Sequence, residues 1–497
     1  MLTLVLVSEF PLVYIWRKFD YFIPLPPSIN HLYMNLIGRK EECRELKRLS
    51  NSEKPEFVAV YGRRRVGKTF LIKEFFRYTF TFYTSGLARS GMKEQLYNFW
   101  KSLRQYGLPE ERECPVNWFD AFDLLKEVVQ KSNLSRKVIF IDELPWMDTQ
   151  KSNFVSALDR FWNNWASEHS EIMLVVCGSA ASWMVKNIIK NRGGLHNRIT
   201  SKIKLSPFTL KETDELLKSN KINWTPKVVA ESYMILGGIP YYFSLLDRNR
   251  SLYQNLNDFF FKENAKLEGE FDELYSSLFK KSAEYVKIIE LLAKKKSGHT
   301  RQDLIDGLKC KDGGSLTRKL EELEHCGFIR RYKSLGMRCD TYQLIDFYSL
   351  FYMAFLKDES KLDNCNWSQI AVSRKYATWS GLAFERLCFS QLDKIKEALG
   401  IRAVLTKTYP YDDGQMQLDM VIDRNDKSVS VCEMKWSDKP YSMTTSDKLK
   451  MYSRVQELKT IFRGKSIFSV MVASSGLIEN DFTRDNVNDI LTVESLF

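Results

Sequence analysis

The stretch Phe57-Val-Ala-Val-Tyr-Gly62-Arg-Arg-Arg-Val-Gly67-Lys68-Thr69 decides the fold of this chain. An apolar, β-branched run is followed at once by a glycine-flanked basic loop, and a helical pattern covers Phe70–Tyr78. The order is strand, GxxxxGK[ST] loop, helix. Gly62 and Gly67 allow the backbone N–H groups, and the positive end of the helix, to face phosphate oxygens. The pattern predicts a phosphate-binding site on a parallel α/β sheet.

The whole loop is the predicted binding segment for the phosphates of ATP. It comprises Gly62, Arg63, Arg64, Arg65, Val66, Gly67, Lys68 and Thr69. We expect Lys68 to bridge the β and γ phosphates and the Thr69 hydroxyl to bind Mg²⁺. The alternative is a glycine turn with surface basic residues, and the flanking strand and helix favour the phosphate site.

A second buried-strand pattern, Lys137-Val-Ile-Phe-Ile-Asp142-Glu143, ends in two carboxylates. In a parallel sheet these acids would lie at the carboxyl end of their strand, beside the phosphate loop. Asp142 is the predicted Mg²⁺ ligand, and Glu143 the residue that orients or deprotonates the attacking water. An apolar run that ends in Asp-Glu is also a common strand terminus, so the prediction depends on the loop upstream.

Two further polar residues follow predicted strands. Ser179 comes after Ile172–Cys177 and is either a sensor of the γ phosphate or a plain turn residue. Arg198 precedes the alternating run Ile199–Leu205. It is either a solvated arginine or the arginine that stabilises the transition state, in its own subunit or in a neighbouring subunit of a homo-oligomer.

Together these motifs resemble the archaeal-type ATP-binding proteins of the AAA+/STAND group. The resemblance rests on Leu36-Ile-Gly-Arg-Lys-Glu-Glu, the phosphate loop, Ile141-Asp-Glu-Leu-Pro-Trp and Gly237-Gly-Ile-Pro-Tyr-Tyr. It implies a P-loop ATPase core over residues 34–208 and a helical lid over 209–280. The turn at Gly237 either closes the lid or simply ends a helix. The family's Pro-Leu-Tyr-Gly-Arg reads Gly-Leu-His-Asn-Arg198 here, so the arginine is kept in altered surroundings.

A basic segment follows, with twelve basic and six acidic residues between Lys294 and Arg338. Its pattern predicts three helices and a hairpin, over Val286–Ala293, Arg301–Leu308, Ser315–Cys326 and Phe328–Leu344. This order resembles a winged helix-turn-helix, assigned to residues 281–346, whose third helix enters a DNA groove. The residues expected to contact DNA are Arg318, Lys319, Arg330 and Lys333. A winged helix used for protein contact is the alternative.

After a helical linker over residues 347–376, carboxylates recur on a predicted helix over Ser380–Leu399 and on a hairpin. Asp419 and Glu433 are predicted to bind Mg²⁺, Glu385 to support them, and Lys435 to position or activate water. The order resembles the PD-(D/E)xK nucleases and assigns a restriction-endonuclease-like domain to residues 377–497. The alternatives are a solvated charged hairpin and a nuclease-like domain that binds without cutting.

Composition limits the remaining possibilities. The chain has 497 residues, a net charge of +12 and nine scattered cysteines, which indicates several globular domains, favours polyanionic partners, and suggests neither a disulfide frame nor a zinc cluster. We expect a cytoplasmic protein without a membrane segment. Residues 1–33 are interpreted as a loose arm or a mis-assigned start, because patterned sequence begins at Met34.

Two functional hypotheses follow. The first is an ATPase coupled to a DNA-binding winged helix and an Mg²⁺-dependent nuclease. The second is a signalling or scaffold ATPase whose winged helix and inactive nuclease-like domain bind proteins. Salt-sensitive DNA affinity separates them, because phosphate contacts release counterions.

Overall fold

The N-terminal domain is built on five parallel strands. The computed structural model describes residues 36–191, 193–195, 197–333, 339–358, 366–412 and 417–497, so the predicted arm over residues 1–33 lies outside it. The strands are β1 (Glu56–Tyr61), β2 (Phe82–Ser85), β3 (Lys137–Asp142), β4 (Ile172–Gly178) and β5 (Ser201–Lys204). Their order across the sheet is β2-β3-β4-β1-β5. Because β4 lies between β1 and β3, the loop after β1 and the acids after β3 meet at one edge.

Helices cover this sheet, and for that reason its central strands read as continuous apolar runs. The helices are α1 (Lys40–Ser50), α2 (Lys68–Phe75), α3 (Met92–Gln105), α4 (Trp118–Lys131), α5 (Leu144–Met147), α6 (Phe154–Asn164) and α7 (Ala181–Met184). Every residue of β4 is buried. On one side, the Trp118 ring packs edge-on against Phe99 and Phe154, which joins α3, α4 and α6 into one apolar core. This α/β fold with a parallel P-loop-type sheet is the predicted one.

A group of helices follows the sheet. They are α8 (Leu210–Ser219), α9 (Pro226–Leu236), α10 (Pro240–Ser244), α11 (Leu252–Phe260) and α12 (Glu270–Leu278). A capping box of Thr209 and Glu212 starts α8, and Pro226 occupies the first turn of α9. Gly237, in the left-handed region, ends α9. Helices α8 and α9 therefore lie in the range 209–280, where the family resemblance implies helices.

Residues 282–344, which we call the middle module, combine three helices with a small antiparallel sheet. Its elements are α13 (Ser282–Ala293), β6 (His299–Thr300), α14 (Arg301–Leu308), α15 (Gly314–His325), β7 (Ile329–Lys333) and β8 (Asp340–Leu344). The strand order is β6-β8-β7. Leu316, Leu320 and Leu323 form the buried face of α15, which covers the third predicted helix. The tip of the predicted hairpin, residues 334–338, lies outside the described residues.

Two short helices, α16 (Phe347–Phe351) and α17 (Trp367–Ala371), lead to residues 374–497, which we call the C-terminal domain. Its elements are α18 (Arg374–Ser390), α19 (Leu392–Ala398), β9 (Thr406–Asp412), β10 (Gln417–Arg424), β11 (Ser428–Lys435), α20 (Thr445–Ile461), β12 (Ser466–Ala473), α21 (Asp481–Asn486) and β13 (Asp489–Leu491). The sheet order is β13-β12-β11-β10-β9. Strands β9 to β11 are antiparallel, whereas β11, β12 and β13 are parallel.

The helix predicted over residues 380–399 is two helices. Gln391 leaves helical geometry, with φ −107° and ψ 26°, and separates α18 from α19. Strand β9 begins at Thr406, because the chain before it turns at Val404, whose backbone N–H donates to the Ile401 carbonyl at 3.0 Å. Local turns therefore set both boundaries, which apolar periodicity does not detect.

Two expected absences concern the described residues only. None of the helices described in the structure is long and apolar enough to cross a membrane. The cysteines in the described ranges are free thiols, several of them buried, such as Cys177, Cys388 and Cys432. Buried thiols of this kind behave as small apolar side chains.

The turn between α9 and α10 gives a test of the fold. A Cβ on Gly238 would lie 2.4 Å from the Phe208 carbonyl oxygen, whereas a Cβ on Gly269 has open space, and both glycines are left-handed, at φ 64° and 67°. We expect Gly269→Ala to cost about 1 to 2 kcal/mol, the usual cost of a left-handed alanine. Gly238→Ala should cost on the order of 3 kcal/mol or more, because the backbone must also shift. Chemical denaturation of both variants measures the difference, and equal losses would contradict this packing.

Candidate functional sites

The phosphate loop connects β1 directly to α2. Gly67 is left-handed at φ 88° and precedes the first helical residue, Lys68. The buried Lys68 ammonium donates to the Arg63 carbonyl oxygen at 2.9 Å, so it lies against the backbone of its own loop. The predicted phosphate ligand is therefore positioned by the loop itself.

The two predicted acids lie beside the loop. The Thr69 hydroxyl donates to one Asp142 carboxylate oxygen at 2.7 Å, and the other oxygen accepts from the Glu143 backbone N–H at 2.9 Å. A hydroxyl and a carboxylate oxygen in contact are the hard donors that Mg²⁺ prefers, so these residues fit the ion. The expected neighbourhood of Thr69 and Asp142 is found.

Glu143 and Ser179 are also brought together, at the ends of β3 and β4. The backbone N–H of Ser179 donates to the Glu143 carboxylate at 3.2 Å, and the Ser179 hydroxyl donates to its second oxygen. Glu143 adopts a left-handed conformation at φ 47°, a strained geometry that is concentrated at functional sites. The predicted general base is thus held by the predicted sensor.

The three arginines of the loop pair with acids outside it. Arg65 forms an ion pair with Glu270 on α12 and lies over the Tyr241 ring at 4.3 Å. Arg64 lies 3.8 Å from Glu273 on the same helix. Burial raises the pKa of Glu270, although the Tyr242 hydroxyl and Arg65 oppose the shift. These side chains therefore tie the loop to the helical region.

Arg63 makes the most buried of these contacts. Its guanidinium pairs with Asp346, with side-chain exposures of 3% and 2%, and stacks over the Phe328 ring at 5.0 Å. The second Asp346 oxygen accepts from the backbone N–H and hydroxyl of Ser349 at 2.9 and 2.6 Å, which caps α16. Asp346 lies two residues after β8, so the pair connects the phosphate loop to the segment that follows the middle module. Sequence reasoning missed Asp346, whose only local signal is that of a helix cap.

The Arg63–Asp346 pair yields a stability prediction. Asp346→Ala leaves a buried guanidinium without its carboxylate, and we expect a loss of about 3 to 5 kcal/mol in the free energy of unfolding. Arg63→Met with Asp346→Ala should be more stable than Asp346→Ala alone, because the unpaired buried charge is gone. Asp346→Asn, which keeps an oxygen for Ser349, separates loss of charge from loss of the cap. Thermal unfolding of this set and of Arg63→Met alone checks this. A double-variant loss equal to the sum of the Arg63→Met and Asp346→Ala losses would contradict a coupled pair.

Arg198 lies apart from these contacts. It is exposed in the turn before β5, and its backbone N–H donates to the Leu195 carbonyl at 3.2 Å. An exposed side chain suits either of the two interpretations, solvation or action on a neighbouring subunit. Its catalytic role stays a prediction.

The C-terminal domain gathers the second set of predicted residues, which we call the carboxylate cluster. It comprises Glu385 on α18, Asp419 on β10, and Glu433 and Lys435 on β11. Asp419 accepts from the Met434 backbone N–H at 3.0 Å, and the Lys435 ammonium lies 2.9 Å from Glu433. Burial lowers the pKa of Lys435, but Glu433, together with Tyr441 and Asp419, raises it by more, so the pKa is raised overall. The hairpin and α18 thus place the four side chains in one region.

Two basic residues that sequence reasoning missed contact this cluster. The Arg454 guanidinium on α20 lies 2.6 Å from Glu433. The Lys296 ammonium, from the middle module, lies 2.5 Å from Glu385 and 3.4 Å from Asp419. Burial, and then the charge of Asp419, raise the pKa of Glu385 to about 7. Burial followed by Glu433 also raises the pKa of Asp419.

Among the described residues, no group of three or more His, Cys, Asp or Glu side chains is arranged to hold a metal ion. The predicted ligand Glu433 is engaged by Arg454 and Lys435. Glu385 and Asp419 nevertheless direct oxygens at one common cation, the Lys296 ammonium. These two carboxylates fit a divalent ion by the chemistry of their donors. The metal-ligand roles of Asp419 and Glu433 stay predictions.

The four predicted DNA contacts are in different environments. The Arg318 side chain is 67% exposed, and Lys333 is exposed at the end of β7. Lys319 pairs with Glu284 at 2.5 Å. Arg330 donates to Gln343 at 2.7 Å, stacks over Phe389 of the C-terminal domain at 4.1 Å, and has its pKa lowered to about 10 by burial. Only Arg318 and Lys333 of the four therefore lie open to solvent.

Comparison with known proteins identifies the first part of the chain. Residues 36–246 match a family described as an ATPase domain predominantly from Archaea. This segment is similar to archaeal-type ATPase domains, in agreement with the phosphate loop and the acid pair.

Two relatives come from Methanocaldococcus jannaschii. One, an uncharacterized protein, is 25% identical over 409 residues, which are 81% of this chain and 88% of that protein. The other, an uncharacterized ATP-binding protein, is 54% identical over 39 residues, which are 8% of this chain and 66% of that protein. The first similarity extends well beyond the ATPase domain.

Solved structures resemble the chain more distantly. A Walker-type ATPase of Pyrococcus abyssi gives a TM-score of 0.47 at 17% identity, over 64% of this chain and 96% of that chain. The ORC2 protein of Aeropyrum pernix, with ADPNP and ADP, gives 0.42 at 16% identity, over 68% and 96% of the two chains.

Proposed function

We propose that this protein is an ATP-hydrolysing switch that acts on its own C-terminal domain, a candidate Mg²⁺-dependent nuclease. The observation that supports the ATPase part best is the group formed by Thr69, Asp142, Glu143 and Ser179 beside the phosphate loop. It combines donors for a metal, a candidate base and a candidate sensor at the start of α2 and at the ends of the adjacent strands β3 and β4.

Each residue of the ATPase site has a proposed task. Lys68 and the backbone of the loop bind the β and γ phosphates of ATP. Thr69 and Asp142 hold Mg²⁺, which when bound would neutralise charge that develops on the phosphates. Glu143 orients a water molecule and takes its proton, and Ser179 keeps the Glu143 carboxylate in position.

Two substitutions separate binding from hydrolysis. Lys68→Ala should abolish ATP binding, measured by calorimetry on folded protein, because the phosphates lose their ammonium. Glu143→Gln should bind ATP normally. It should hydrolyse ATP at least about 100-fold more slowly than the wild type, the usual loss when a general base is removed. Hydrolysis by Glu143→Gln at the wild-type rate would reject Glu143 as the base, and ATP binding by Lys68→Ala would reject the phosphate site.

The proposed coupling to the C-terminal domain rests on α9. The Lys227 ammonium on α9 donates to the Ser437 carbonyl at 2.6 Å, in the turn that follows Lys435 on β11. Glu231, one turn further along α9, accepts from the Tyr376 hydroxyl on α18. Glu385 is on α18, and Ser437 lies in the turn directly after β11, which carries Glu433 and Lys435. A single helix therefore contacts α18 and the end of β11, two of the three elements that bear the carboxylate cluster. A shift of α9 would therefore change the positions of the side chains in the carboxylate cluster.

The middle module and the C-terminal domain are proposed to act on DNA. The order of three helices and a hairpin in the middle module supports a winged helix, with Arg318 and Lys333 as its exposed contacts to phosphate. In the C-terminal domain the helix, hairpin and Glu433-Met434-Lys435 order supports a PD-(D/E)xK nuclease. Asp419 and Glu433 would hold Mg²⁺ there, Glu385 would support them, and Lys435 would position the attacking water.

The nuclease proposal is tested at Lys435. We expect Lys435→Ala to remove Mg²⁺-dependent strand breaks in linear and circular DNA, because water loses its positioning ammonium. Lys439→Ala changes an exposed lysine four residues away and should cut like the wild type. Gel assays with purified protein, ATP and Mg²⁺ measure both variants. Cleavage that persists in Lys435→Ala removes the nuclease from the proposal.

A second function, an ATPase scaffold whose two C-terminal parts bind proteins, is favoured by one observation. Several basic side chains of the middle module are already paired with acids, as in Lys319–Glu284 and Arg301–Asp312. Binding to DNA that weakens steeply between about 50 and 200 mM salt supports the first function, since phosphate contacts release counterions. The absence of DNA binding at about 50 mM salt supports the scaffold.

A further inference from the structure

The Lys296 side chain lies between two acids of a different domain. Its ammonium is 2.5 Å from the Glu385 carboxylate and 3.4 Å from the Asp419 carboxylate. Glu385 and Asp419 are only 15% and 10% exposed. One cation of the middle module thus compensates two largely buried carboxylates of the C-terminal domain.

The backbone at Lys296 is fixed by neighbouring strands. The Gln343 side chain on β8 donates to the Lys296 carbonyl at 2.7 Å, and the Tyr332 hydroxyl on β7 donates to the Ser297 carbonyl. Arg330 in turn donates to Gln343 at 2.7 Å. Hydrogen bonds from β7 and β8 therefore fix the backbone from which the Lys296 side chain extends, unlike that of a lysine in a free surface loop.

A small cavity surrounds the contact. Lys296, Arg330 and Tyr332 line it from the middle module, and Glu385 and Asp419 line it from the C-terminal domain. The two carboxylates therefore share one cavity with side chains of the middle module. A cation that binds these two acids would therefore share the cavity with the Lys296 ammonium.

We propose that Lys296 is a lock on the carboxylate cluster, and that a divalent cation binds Glu385 and Asp419 only in exchange for it. This inference rests on the proposed function, since it assumes that these acids bind a metal. The reason is electrostatic: an ammonium in contact with both carboxylates occupies the position of highest negative potential, and a second cation beside it is repelled. The middle module thus keeps the candidate nuclease inactive while it stays docked.

The same strand, β8, connects the lock to the phosphate loop. Gln343 holds the Lys296 backbone, and the next residue, Leu344, accepts from Arg386 on α18 at 3.0 Å. Asp346, two residues further, holds Arg63 of the phosphate loop. A nucleotide that moves the phosphate loop would therefore displace Asp346 and the adjacent end of β8, the strand that supports Lys296.

The experiment measures Mn²⁺ binding to the full chain without nucleotide, by electron paramagnetic resonance of the free ion. We expect Lys296→Ala to bind Mn²⁺ about tenfold or more tightly than the wild type, because one charge that competes for the carboxylates is removed. Lys295→Ala, which changes the exposed neighbour, should bind like the wild type. Lys296→Ala combined with Asp419→Asn should lose the gain.

The outcomes separate the lock from the metal site. If the wild type and Lys296→Ala bind Mn²⁺ equally, and Asp419→Asn abolishes binding in both, the metal site stands and the lock is rejected. If Lys296→Ala binds no Mn²⁺ although its thermal unfolding shows a folded protein, both the metal site and the lock are rejected. Weaker binding in Lys296→Ala would make the lysine a support of the site and would also reject the lock.

Discussion

The buried ion pair between Arg63 and Asp346 is the constraint on which the arrangement of domains depends. Both side chains are almost fully removed from water, so neither charge can be left without the other. One partner belongs to the phosphate loop and the other follows the last strand of the middle module. The loop and the module must therefore move together or exchange this contact for another one. Arg65 with Glu270 adds a second link of the same kind to the helical region.

Charge compensation also explains how the C-terminal domain is held. Burial penalises ionised Glu385 and Asp419, and the Lys296 ammonium reduces that penalty from outside the domain. The contact therefore favours the docked middle module as much as it blocks the acids. Lys227 of α9 joins the helical region to the same C-terminal domain, through the turn after β11. Ionic contacts that join domains thus end at both candidate sites, so a change at one site has physical routes to the other.

Sequence reasoning was most successful where local pattern and chemistry coincide. The strand before Gly62 and the strand that ends at Asp142 were predicted from apolar runs, and both lie in the parallel sheet with their carboxyl ends at one edge. It was least successful where a turn interrupts a periodic pattern, as at Gln391, or where an edge strand is short, as in β2 (Phe82–Ser85). A short edge strand makes few contacts, so its pattern is weak.

The sequence by itself determined the phosphate loop, the acid pair, and the residue types of the carboxylate cluster. These features depend on short spacings, because the backbone geometry of a strand, a helix or a glycine turn converts spacing directly into direction. Only the tertiary structure decided which charges meet. Lys296 is one of three consecutive lysines, and nothing in the local sequence marks it as the partner of Asp419, far along the chain. The path of the chain between such residues decides the pairing. The packing of whole domains brings two buried charges into contact, and no periodic pattern in the sequence indicates that contact.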